Sequence, residues 1–230
     1  FYDVATKLYD YAEDLNGYHQ TAFGGLSGTG EMAGNCDRGT EFAEEYDELV
    51  PELETTGKDL VAALYHYGDI VRQVGINHAD AEADSDIGDT GYDEPPAERS
   101  APIGMCFAIP KSAGGSLEGL LEDVGLNEYL TVPVPDGDTD KLATANSVWT
   151  TLSDDIGSNL VGKVSALIAD FDDLYGEEID VICDDLNGLD TEISTYRDGA
   201  KDLAEATEQH KGYLDEVREM LEGILKDLAI

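Results

Sequence analysis

The stretch from Ile179 to Leu228, IDVICDDLNGLDTEISTYRDGAKDLAEATEQHKGYLDEVREMLEGILKDL, decides the fold class. Its stripe residues are Ile179, Ile182, Leu186, Leu189, Ile193, Tyr196, Ala200, Leu203, Thr207, His210, Leu214, Val217, Leu221 and Leu228. The steps alternate between three and four, close to a strict seven-residue repeat. That pattern predicts one long helix packing on others at shallow angles, in coiled-coil fashion.

The same spacing recurs in the rest of the chain. Val4, Leu8, Tyr11, Leu15 and Tyr18 form a first stripe, broken by Gly24-Gly25 and by Ser27-Gly28-Thr29-Gly30. Phe42, Tyr46, Leu49, Leu53, Leu60, Leu64, Tyr67, Val71, Val74 and His78 form a second. Pro51 and Gly57 fall inside it and predict a kink or a false start before the main helix. Leu142, Ala145, Val148, Trp149, Leu152 and Ile156 form a third, begun by an N-cap at Asp138 or Thr139 and ended at Gly157 and Gly162. From about residue 84 to 138 there is no long stripe, and six of the seven prolines lie there. Only Ser116 to Leu121 suggests a short helix. The expected fold is all-α: two long antiparallel helical hairpins in an elongated four-helix bundle with a long irregular linker. The expected boundaries are 1–84 for the first hairpin, 85–137 for the linker and 138–230 for the second hairpin. No alternating strand pattern competes.

The 230 residues include 51 Asp plus Glu and 13 Lys plus Arg, for a formal charge of −38. A nucleic-acid interface needs a basic face and an anionic membrane surface needs the same, so both are disfavoured. At 41% hydrophobic with regular spacing, the chain is nonetheless a folding sequence with an acidic surface. A salty or extracellular milieu, or selection for solubility, accounts for such a surface. No run of about 18 apolar residues is present, so no transmembrane helix is expected. The start, Phe1-Tyr2-Asp3-Val4, has neither an initiator Met nor the basic and apolar pattern of a signal peptide, and a fragment is expected.

Residues able to carry chemistry are scattered. Cys36, Cys106 and Cys183 form no zinc-type cluster. Cys36 and Cys106 lie in loops and are the candidate disulfide, leaving Cys183 free. Asp136, Asp138 and Asp140 alternate as in a calcium loop, but its sixth and twelfth places hold Lys141 and Ser147 instead of Gly and Glu. A turn leading into an N-cap explains those acids, and no metal is expected. His19, His66, His78 and His210 stand apart, two of them on helical stripes, and no nucleophile–base spacing or phosphate-cradling loop occurs. No enzyme activity and no cofactor are expected. Trp149, the sole tryptophan, is expected in the core.

One stretch is more specific. Gly25-Leu26-Ser27-Gly28-Thr29-Gly30-Glu31-Met32-Ala33-Gly34-Asn35, then Gly39-Thr40-Glu41-Phe42-Ala43-Glu44-Glu45-Tyr46-Asp47, resembles a signature of actinobacterial toxin N-terminal domains. Gly75-Ile76-Asn77-His78-Ala79-Asp80 is similar to the end of that family's second helix. Gly137-Asp138-Thr139-Asp140-Lys141-Leu142, followed by Trp149, is similar to its second hairpin. The family is the WXG100-like N-terminal domain of type VII-secreted toxins. The motif residues are Met32, Ala33, Gly34, Asn35, Gly39, Phe42, Tyr46 and Asp47. Two positions depart from it. Thr150-Thr151 follows Trp149, so the Gly of Trp-x-Gly is missing. Where Tyr-x-x-x-Asp/Glu would close a second helix, the chain has His78-x-x-x-Glu82, and Tyr65-x-x-x-Asp69 lies one to two turns earlier.

The resemblance implies a non-catalytic export and partner-binding domain, secreted or placed at the cell surface through a type VII secretion system. A toxin domain would follow in the full protein, and the implied partners are WXG100-family small helical proteins, as a heterodimer, and the secretion machinery. The family's link with channel formation does not extend to this segment, which has neither an apolar span nor barrel strands. Candidate export or partner-binding residues are Tyr65, Asp69, His78, Glu82, Trp149 and Tyr213. Tyrosines beside the long stripes (Tyr46, Tyr65, Tyr67, Tyr196, Tyr213) would widen a core face into a docking face. Two other classes compete. An acidic inhibitor mimicking nucleic acid needs carboxylates in paired rows, whereas these acids spread over all polar faces. A plain structural coiled coil would not need residues 24–40 or the linker.

Overall fold

The structure, a computed structural model, describes residues 1–85, 94–102, 106–115 and 135–228. They are helical almost throughout: α1 (Tyr2–Gly25), α2 (Asp37–Ser85), α3 (Thr139–Asn159), the single turn α4 (Lys163–Ala166) and α5 (Glu177–Leu228). Short 3-10 turns occupy Leu26–Gly28 and Leu167–Phe171. Among the described residues there is no strand, only an isolated antiparallel bridge between Gly34 and Gly114. The protein is an all-α helical bundle, as the four stripes require. The short helix expected at Ser116–Leu121 lies outside the described residues.

Two compact units make up the chain. Unit one comprises Phe1–Gln20, Thr55–Met105 and Asp154–Arg197; unit two comprises Thr21–Glu54, Cys106–Ser153 and Asp198–Ile230. In unit one, α1 and α2 run in opposite directions: Phe1 stacks on His78, and Tyr9 donates its hydroxyl to Asp69. The core there holds Val4, Leu8, Tyr9, Leu15, Leu64, Val71, Ile182, Leu186 and Ile193. In unit two, α2 and α3 each oppose α5, through Phe42 stacked on His210 and through Asn146 bonded to the Ala204 carbonyl. Its core holds Phe23, Met32, Tyr46, Val50, Leu142, Trp149, Leu203 and Leu214.

The second stripe departs from its expected shape. α2 is one unbroken helix of 49 residues with Pro51 inside it, with no false start. Proline removes one backbone donor, but Tyr46 and Val50 ahead of it and Leu60 and Leu64 after it are buried and hold the helix on both sides. Gly57 is a contact point, not a break. A β-carbon there would lie 2.3 Å from His19 Nδ1 and 2.6 Å from the Tyr196 hydroxyl. Gly68 likewise receives the Tyr9 ring and Gly75 the side chains of Phe1 and Tyr2. At steps of 11 and 7 the three glycines lie on one helical face, which lets aromatic rings rest on the α2 backbone.

The three cysteines are free thiols, so the expected Cys36–Cys106 disulfide is not formed. Cys36 is buried at the start of α2, where its carbonyl takes the Thr40 amide and its Sγ the Gly39 amide, while Cys106 is exposed.

A paired substitution tests the glycine contacts. Alanine favours a helix over glycine by about 1 kcal/mol, and forcing a methyl into a packed site costs about 1–3 kcal/mol. Gly68→Ala is expected to lower the melting temperature by several degrees. Gly188→Ala, on α5 with nothing within 4 Å of the new methyl, is expected to raise it slightly. Equal shifts in thermal melts of the two variants would show that Tyr9 does not rest on Gly68.

Candidate interaction site

The Met-Ala-Gly-Asn stretch forms a joint in unit two, built mostly from backbone. After the 3-10 turn, Thr29 closes on the Leu26 carbonyl through both its amide and its hydroxyl. Residues 31–34 then lie beside 111–114: the Glu31 amide donates to Lys111 O, Ala33 to Ser112 O and Gly34 to Gly114 O, at 2.7–2.9 Å. The other edge is used as well, with the Asp138 amide donating to Met32 O and His210 Nε2–H to Ala33 O at 2.8 Å.

Each motif residue has a place in this joint. Met32 and Ala33 are wholly buried. Gly34 has φ +85°, and a β-carbon on it would lie 2.6 Å from the Gly137 nitrogen, so both conformation and space exclude a side chain. At Gly39 the obstacle is the Ala33 carbonyl, 2.4 Å away. Asn35 grips Asp136 twice, backbone amide to Oδ1 at 2.6 Å and side-chain amide to Oδ2 at 2.7 Å. Asp47 accepts the Ser112 amide at 2.9 Å. Tyr46 accepts the Trp149 indole N–H at 3.0 Å, and burial pushes its hydroxyl pKa well above the usual range. Phe42 stacks on the His210 ring, centroids 4.5 Å apart and planes within 4°.

The acids that alternate from Asp136 also have structural partners. Asp138 Oδ1 accepts the amides of Asp140 and Lys141, making it the N-cap of α3. The Arg218 guanidinium donates to Gly137 O and to Thr139 Oγ1, and Lys141 donates to Gly30 O at 2.8 Å. Among the described residues, no three His, Cys, Asp or Glu side chains are grouped to hold a metal. No helix there is long and apolar enough to cross a membrane.

The six candidate export or partner-binding residues fall in both units. In unit one Tyr65 is 6% exposed and tilts against Tyr9, which corrects its expected place on a docking edge. Asp69 is the Tyr9 acceptor, and His78 pairs with Glu178 at 3.3 Å under the Phe1 ring. Glu82 is exposed. In unit two Trp149 is wholly buried, edge-on to Phe23, and Tyr213 is half-buried beneath the Arg38 guanidinium. Tyr46 and Tyr196 are buried too, so three of the five tyrosines close into the core, while Tyr67 and Tyr213 are half-buried. Sequence reasoning missed Arg38, Arg218 and the 111–114 segment as parts of the joint; Arg38 stands between the motif residues Asn35 and Gly39 without being one of them, and Arg218 and 111–114 lie far from the motif in sequence and outside any period. Unit one has an open cleft of about 680 Å³, whose described lining includes the carboxylates of Asp3, Glu94 and Asp170 but no Cys, Ser or His.

No family model and no solved structure matches the chain. Over 155 residues, 67% of its length, it is 30% identical to a Mycobacterium avium (strain 104) protein named as a candidate NAD(+)--arginine ADP-ribosyltransferase, Mav. The chain spans 18% of that protein's length.

The joint has a pH signature. Burial, with a smaller contribution from Arg38, holds the His210 pKa below the usual 6.5, against the opposing pull of its bond to Ala33. The folded state therefore keeps the ring neutral while the unfolded chain takes a proton as pH falls through about 6.5. Stability is expected to fall between pH 7 and 5.5. His210→Gln, which keeps a donor without a titrating ring, should flatten that fall. Parallel pH slopes in urea melts of parent and variant would overturn the assignment.

Proposed function

We propose that the chain is a non-catalytic export and partner-binding domain of a longer toxin-like protein, carried by a type VII secretion system and docked by small WXG100-family helical hairpins. The observation that carries this reading is the joint. The stretch that resembles the family signature forms the joint of one unit of an all-α bundle, with each of its eight motif residues engaged in packing or hydrogen bonds. The histidines, carboxylates and tryptophan described above are engaged in the same way, which suits a binding module better than an active site. The mycobacterial relative supports a place beside a toxin domain. It is named for an enzyme, and the chain spans less than a fifth of it, so catalysis would belong to another part of such a polypeptide.

Co-expression with a WXG100 hairpin pair, followed by light scattering on the eluted peak, tests the partner half. A stable complex is expected, with hairpins and chain eluting together at low and moderate salt. A reporter fused behind residue 230 tests export. It should reach the medium in a strain with an intact type VII system and stay in the cells when the system's ATPase is deleted. Hairpins that elute apart from the chain would refute the partner half, and secretion indifferent to the ATPase would refute the export half.

A further inference from the structure

Tyr175, in unit one, stands apart from the other described tyrosines. The chain has 12, of which Tyr92 and Tyr129 lie outside the described residues. Nine of the remaining ten are buried or half-buried, and Tyr9, Tyr67 and Tyr196 bond through their hydroxyls to Asp69, Asp185 and His19. Tyr175 is 90% exposed. Its neighbours form a strap held at both ends. Phe171 and Ile179 are buried, whereas all seven residues from Asp172 to Glu178 are exposed. The Leu174 amide closes the preceding turn on Phe171 O, and Gly176 O takes the Ile179 and Asp180 amides to begin α5. Leu174 and Tyr175, between those bonds, are not helical. A modifying enzyme can therefore seat the strap in its groove without unwinding a helix.

Charge narrows the kind of enzyme. Asp170, Asp172 and Asp173 precede the tyrosine, Glu177, Glu178 and Asp180 follow it, and no Lys or Arg occurs between Lys163 and Arg197. Lys7 meets Asp170 and His78 meets Glu178, which leaves Asp172, Asp173 and Glu177 as exposed carboxylates on both sides of the ring. The complement of such a strap is a groove lined with lysine or arginine. We propose that Tyr175 is a phosphorylation site, used by a tyrosine kinase with a basic substrate groove and a nucleoside triphosphate as donor. The phenol oxygen bonds to the γ-phosphorus as the bond from that phosphorus to the β–γ bridging oxygen breaks. The nucleoside diphosphate leaves, and the phenol proton passes to the kinase's base. A phosphoryl group suits the position better than a singly charged sulfuryl group. Tyr175 lies two residues before Glu177, the first residue of α5, where the helix dipole favours added negative charge. The inference concerns regulation and stands independently of the export reading.

The test uses the whole 230-residue chain, ATP with magnesium and a tyrosine kinase that prefers acidic flanks, with peptide mass spectrometry to locate the group. Because the side chains involved are exposed, Tyr175→Phe and Asp172→Asn/Asp173→Asn are both expected to melt with the parent. The parent should take up phosphoryl at Tyr175, and Tyr175→Phe should lose that uptake. Asp172→Asn/Asp173→Asn should take it up several-fold more slowly. Uptake at Tyr92 or Tyr129 with Tyr175 untouched would overturn the proposal. Equal rates in the parent and the asparagine variant would overturn recognition through the acids. A second arm uses chain recovered from the cells that make it, where a fraction of Tyr175 should carry a group that a tyrosine phosphatase removes. Tyr175 found bare in that material at every stage of growth would overturn the proposal, and a phosphatase-resistant group would overturn it in favour of sulfuryl transfer.

Discussion

Like-charge repulsion is the constraint on which the rest of this structure depends. With 51 acids against 13 cations, any two surfaces brought together are, by default, both negative. The placement of the few cations therefore shapes what can pack. Each of the five arginines is used within the fold. Arg38 covers the Tyr213 ring, and Arg72 reaches Pro96 O and Glu98. Arg99 bridges Asp10 and Glu13, Arg197 reaches Ser194, and Arg218 holds Gly137 and Thr139. Guanidinium suits this task because several fixed donors can serve a carbonyl and a carboxylate together, as Arg72 does. Exposed pairs of this kind add little stability one by one. Their effect here is local: they let acidic segments lie against acidic helices, as 94–99 does on α1 and α2 in unit one.

Apolar packing supplies the stability, and in unit one it relies on close approach. Glycines at 57, 68 and 75 give α2 a face without side chains, and rings from α1 fill it. Large aromatics bury much area per residue, so resting them on backbone gains contact without more hydrophobic residues. That matters in a chain where so many positions are committed to solvated acids.

The helices were legible because a seven-residue repeat of some fifty residues has no rival reading. Pro51 and Gly57 were misread because local propensity marks a break wherever they occur, whereas the burial of Val50 and Leu60 on either side keeps α2 whole. A glycine that ends a helix and one that receives a ring look alike in sequence; only the opposing Tyr9 or His19 tells them apart. The joint was half visible. Met32 to Asn35 stood out as part of a signature, but its partners at 111–114 and at 136–138 carry no period that could announce them. The tyrosines were misjudged for a related reason. Position beside a stripe does not fix exposure, and Tyr65 and Tyr196 meet partners from α1 that no spacing on their own helices reveals.

Motif and recognition surface come apart for a physical reason. A tight crossing of backbone between helices needs glycine at Gly34 and Gly39, a short amide at Asn35 and small or flexible apolar groups at Ala33 and Met32, so it leaves a conspicuous string in the sequence. Those same demands turn the string inward, where Ala33 O, Met32 O and the Asn35 amide are already occupied by His210, Asp138 and Asp136. A partner cannot displace them without opening the joint and leaving buried backbone groups unpaired, which costs about 1–3 kcal/mol each. A recognition face must instead consist of apolar groups that the fold does not consume.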